Sequence, residues 1–140
     1  MSDAGPQRDR LPAASKLRLS VEVIVAYARA RRALRRHDLP AAAAAMRRAP
    51  DRHHHACDDA YGTGLRLGRV VLRVLGLLPR DPRCLMTSLV LTALLARRGI
   101  PATLVVGVRP DPFAAHAWVE HRGRPLLAPA TAPFERLVEV

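Results

Sequence analysis

Apolar positions recur with helical spacing through the first part of the chain. Leu17, Val21, Ile24, Val25, Ala28 and Leu34 form a stripe that predicts a helix over Leu17–Arg36. Arg29, Arg31, Arg32, Arg35 and Arg36 crowd its later turns, where the negative end of a helix dipole favours them. A short Ala-rich helix is predicted over Pro40–Arg48, with Pro40 at a first-turn position. A third, over Tyr61–Leu78, carries Leu65, Val70, Val71, Leu72, Val74, Leu75 and Leu78. Gly62, Gly64 and Gly68 weaken its start, and Pro79 marks its end. Residues 1–14, rich in Asp, Pro, Gly and Ala, are expected to be disordered.

The pattern changes after residue 80. Asp81 is a good N-cap and Pro82 a good first helical residue. The helix they open continues through CLMTSLVLTALLARR to Arg98. It is apolar on most sides, so it belongs at the centre of the core. Gly99 is its expected cap, and Pro101 forbids continuation. Ala102–Val108 reads as a strand buried on both faces, and Ala115–His121 alternates as a second. A turn at Gly123 leads to a third strand, Arg124–Ala128, stopped by Pro129 and Pro133. The predicted architecture is α+β: a helical layer over 15–80, a surface for partners or substrate, then a core over 81–140. In that core one helix packs on a small antiparallel sheet.

Charge adds a partner class. The chain carries 23 Lys+Arg against 12 Asp+Glu, a formal net charge of +11, and its one lysine is Lys16. That balance favours an acidic partner; an Arg-rich coding bias explains it equally well. Nucleic-acid binding as the main function is disfavoured, because no aromatic-interleaved basic stripe or finger spacing is present. No apolar run reaches membrane-spanning length without an arginine, and the polar start is no signal peptide. A cytoplasmic protein with reduced thiols is expected. His53, His54, His55, Cys57 and Asp58 sit together, but consecutive histidines point in different directions and no second ligand pair follows at zinc spacing. They read as a solvated linker.

The candidate chemistry lies at Cys84 and His116. Cys84 falls in the first turn of the central helix, where free N–H groups, the dipole and neighbouring Arg83 stabilise a thiolate. On position alone it could equally be a small buried hydrophobe. His116 shares one strand face with Trp118 and Glu120. A lone strand histidine is usually structural, but a helix-start cysteine followed about thirty residues later by a strand histidine resembles the arrangement of papain-like and transglutaminase-like enzymes, which implies an imidazole that takes the thiol proton and later protonates a leaving amine. Trp118 could line a substrate groove beside His116 or pack in the core under the helix, and the core is the favoured expectation.

The stretch R-C-L-x-x-S-L-V-L-x-x-L-L-x-R-R-G-I-P-A-x-L-V-V-G-V-R, followed by P-F-A-A-H-A-W-V-E-x-x-G-R-P, spans Arg83–Pro125. It resembles the stand-alone leader peptidases of lasso-peptide biosynthesis. The resemblance implies a transglutaminase-like cysteine peptidase that removes the leader from a ribosomally made precursor. It implies two protein partners, a small leader-recognition protein and an ATP-dependent cyclase, and no metal or organic cofactor. By carry-over, Cys84 is the nucleophile and His116 the general acid/base. The family's third member is an Asp on the next strand, and its expected position is Ala128. A three-residue loop His121-Arg122-Gly123 would pair Glu120 with Arg124 and set Ala128 opposite His116. Alanine cannot orient an imidazole. Glu120 lies about 13 Å along the strand from His116, too far to substitute. Asp111, Glu135, a backbone carbonyl or water remain open. The alternative to an active peptidase is a weakened or inactive relative that binds leader or cyclase as a scaffold.

Overall fold

The computed structural model describes residues 12–48, 59–78, 84–127 and 133–140. It contains helices α1 (Ala13–Arg36), α2 (Leu39–Arg47), α3 (Ala60–Leu75) and α4 (Cys84–Ala96). Strands β1 (Thr103–Arg109), β2 (Ala114–His121), β3 (Arg124–Pro125) and β4 (Glu135–Glu139) form one antiparallel sheet in the order β3-β2-β1-β4. The fold is therefore α+β, with helices gathered on a small sheet.

α4 is the centre. Leu89, Val90, Leu91, Leu94 and Leu95 are fully buried, as expected for a helix apolar all round. α1, α2 and α3 all pack on it from one side, and β2 from the other. Leu104 of β1 and Val119 of β2 pair directly and join the same apolar cluster. The sheet face carrying Leu104 and Val119 thus looks toward α4. After Ala96 the chain turns at Gly99, whose φ of 66° is left-handed, and Ile100 N–H donates to Leu95 O at 3.0 Å.

Local chemistry sets the other helix starts. Asp38 accepts from Ala41 N at 3.0 Å, and Asp59 from Gly62 N at 2.8 Å. Gly64 does more than weaken α3. A Cβ there would meet the Leu126 side chain at 2.8 Å, so glycine lets α3 close onto the chain leaving β3. Tyr61 secures the same junction by donating its hydroxyl to Pro125 O at 3.0 Å.

α1 presents the opposite face from the expected one. Val23, Ala26, Ala30 and Ala33 point inward. Leu17, Val21, Ile24 and Val25, the larger part of the expected core stripe, are exposed by 69%, 54%, 42% and 48%. Only Leu34 of that stripe is partly buried against the core. Small alanines allow α1 to approach α4 closely, and that fit outweighs the size of the apolar residues on the other side.

The sheet departs from expectation in two ways. The hairpin loop has two residues, because His121 pairs with Arg124 and Glu120 with Pro125. Arg122 (φ 50°) and Gly123 (φ 76°) are both left-handed, as a tight hairpin turn requires. The register is therefore one residue from the expected Glu120–Arg124 pairing, which removes the basis for placing Ala128 opposite His116. β3 proper ends at Pro125, with one more rung from Leu126 N to Val119 O at 2.8 Å. Ala128 lies outside the described residues, as do the caps Asp81 and Pro82, Arg83, and the His53–Asp58 cluster.

The second departure is β4, which the sequence reading omits. It pairs with the far side of β1 and makes β1 a central strand. Val105 and Val106 pair with Glu139 and Val138, then the register jumps so that Gly107 pairs with Arg136. Leu137 is the extra residue of this bulge and is 66% exposed. The bulge turns Arg136 onto the face away from α4.

Candidate active site

Cys84 is the first residue of α4 and is partly buried. Its Sγ accepts a hydrogen bond from Ala117 N at 3.3 Å. The geometry of that bond follows from the hairpin. Leu126 bonds to Val119 O, so Val119 turns its main-chain groups toward β3. Alternate residues of an antiparallel strand turn theirs the same way, so Ala117 N–H also points to that edge. β3 does not reach Ala117, and the Cys84 sulfur occupies the place of a strand acceptor there.

His116 directly precedes Ala117, and its side chain leaves the sheet on the face away from α4, with Trp118 and Glu120. The imidazole stacks on the Trp118 ring (centroids 6.0 Å, 19° between planes) and meets Phe134 at 5.7 Å. Gly107, opposite His116, makes room for this cluster. A Cβ there would lie 2.9 Å from both Trp118 and Phe134. The imidazole Nε2 is buried and has no hydrogen-bond partner. The structure therefore brings Cys84 to the backbone beside His116, with no carboxylate on the ring's Nε2.

Glu120 shows where the nearby acid goes. It is 5% exposed, accepts from Trp118 Nε1 at 2.8 Å, and pairs with Arg136 at 2.7 and 3.2 Å. Hydrogen bonds to Glu139 and Glu120 raise the Arg136 pKa above its ordinary value, so this cation stays charged. Glu120 thus fixes the indole that flanks the imidazole. Trp118 is buried as expected, yet it lies on the far side of the sheet from the helix. Asp111 and Glu135 are exposed. Phe134 and Arg136 complete this face and went unrecognised in the sequence, because the alternation in ERLVEV was not read as a strand.

The sequence model described as the transglutaminase-like superfamily matches residues 19–139. The chain belongs to the transglutaminase-like superfamily. The match begins inside α1 and ends in β4, so it takes in both the helical layer and the sheet. No curated protein and no solved structure matches this transglutaminase-like chain. Among the described residues of the domain, no group of side chains is arranged to hold a metal ion, and no helix is long and apolar enough to cross a membrane.

Proposed function

We propose that this transglutaminase-like protein is a cysteine peptidase that removes the leader from a ribosomally made lasso-peptide precursor. Cys84 is the nucleophile and His116 the general acid/base. The thiolate attacks the scissile carbonyl, and the imidazolium protonates the departing amine. Water then releases the leader from the acyl-enzyme. The partners in this reading are the precursor, a small leader-recognition protein and an ATP-dependent cyclase, as the motif over Arg83–Pro125 implies. The observation that carries the reading is the Ala117 N–H donated to the Cys84 sulfur immediately beside His116.

One observation favours a second reading, a scaffold that binds leader or cyclase without cleavage. The His116 Nε2 is buried without a partner, and Glu120 is committed to Trp118 and Arg136. Iodoacetamide labelling at neutral pH, in a Cys57→Ser background, separates the two. The enzyme reading expects fast labelling of Cys84 that His116→Ala slows by about 10²-fold or more. Equal rates in both proteins favour the scaffold. In the coupled assay with precursor and recognition protein, Cys84→Ala abolishes leader release if the enzyme reading holds. Release that survives Cys84→Ala sinks it.

A further inference from the structure

The exposed stripe of α1 has a second feature beside it. α1 and α3 diverge to leave a trough of about 1110 Å³ that ends against Arg97 and Arg98, just beyond α4. Leu19, Leu67 and Val70 line it, and Val21 and Val25 add exposed apolar surface on the α1 side. Its charge is one-sided. Among the described lining residues Glu22 is the single carboxylate, and it is held by Arg98 at 3.0 Å and Arg97 at 3.4 Å. Arg18 and Arg66, both exposed, stand on opposite walls, and neither forms an ion pair among the described residues.

We infer that this trough docks an acidic, amphipathic helix of a partner protein. Both walls are helices whose main-chain groups bond internally, so an extended strand would find no ladder there. A third helix, by contrast, can pack its apolar ridge between two others. Arg18 and Arg66 then face carboxylates flanking that ridge. A second copy of this chain is a poor occupant, because the formal net charge of +11 brings like charge to like. A bilayer is also a poor fit, since a trough between helices is concave. The inference does not rest on the peptidase reading: α4 has 13 residues, which puts its far end, next to Arg97 and Arg98 of the trough, about 20 Å from Cys84.

The test is fluorescence anisotropy with a synthetic amphipathic helix that carries a leucine stripe flanked by glutamates. Its control replaces the glutamates with lysines. The full chain binds the acidic helix, and Arg18→Glu/Arg66→Glu weakens it by about tenfold or more. Arg35→Glu/Arg36→Glu makes the same change in net charge away from the trough and leaves binding unchanged. Circular dichroism melts of both variants confirm folding. Equal loss in the two variants, or equal binding of the lysine control, overturns the inference, because binding then follows net charge or apolarity alone. Sedimentation showing a dimer that Arg18→Glu/Arg66→Glu dissolves overturns it in favour of a second copy. Phosphatidylserine vesicles that bind the chain and lose it in the same variant overturn it in favour of a membrane surface.

Discussion

Ser88 sits one turn along α4 from Cys84, fully buried, and its hydroxyl has no hydrogen-bond partner. Its carbonyl is satisfied, since Thr92 Oγ1 donates to it at 2.9 Å. A buried hydroxyl without a partner loses its water for nothing. Ser88→Ala is therefore expected to leave stability unchanged or raise it by up to about 1 kcal/mol. Urea denaturation decides; a loss of stability would mean that the hydroxyl has a partner in the folded chain. His116 presents the same condition at Nε2. The helix that begins at Cys84 was legible in the sequence, because the apolar run CLMTSLVLTALLA marks it. The side chains sharing a face with His116 were also legible, because strand alternation is strict. The Ala117 N–H on sulfur was not legible. It depends on where β3 stops, and no pattern in RPLLA marks that point. The role of Glu120 was half visible: distance removed it from His116, but its hold on Trp118 needed the bulge that presents Arg136.

Helices announced themselves more clearly than their orientation. The boundaries of α2 and α3 lie close to those read from capping and spacing, whereas α1 begins at Ala13 rather than Leu17, inside the stretch expected to be disordered, and is turned so that alanines face inward. A stripe weighted by large apolar residues misjudges a helix that packs through small ones. The hairpin failed in a related way. Placing one left-handed residue at Gly123 gave a three-residue loop, whereas the chain also puts Arg122 at φ 50° and shortens the loop by one. That conformation is unfavourable for arginine and tolerated by asparagine. Arg122→Asn is expected to stabilise the domain by about 0.5–1 kcal/mol, read as a higher melting temperature. A lower one would show that the arginine side chain contributes something its exposure does not suggest.

Across the molecule, the sheet has two different faces. The one toward α4 is mainly apolar, through Leu104 and Val119, and closes the core. The other holds a polar and aromatic row, His116, Trp118, Glu120 and Arg136, that ties the central hairpin to the last strand. Glu120 is the link, joined to Trp118 of β2 and to Arg136 of β4. Glu120→Ala leaves Trp118 Nε1 without its acceptor and separates β4 from β2. A loss of about 2–3 kcal/mol is expected by urea denaturation. Glu120→Gln, which keeps an acceptor for the indole, should lose less; equal losses would place the effect on Arg136 alone.

The cysteine and the histidine belong to different layers: Cys84 begins the central helix, while the His116 ring hangs from the far surface of the sheet against Trp118 and Phe134. Their alignment is then a property of the seam between layers rather than of either residue's own surroundings. Val119, fully buried under α4, is part of that seam. If Cys84 and His116 act as a pair, Val119→Ala should slow iodoacetamide labelling of Cys84 at temperatures where the chain is still folded. Unchanged labelling would mean that the two layers keep their alignment without it. The reactive pair would thus be as temperature-sensitive as the slippage of one layer over the other, and would lose function well before the protein melts.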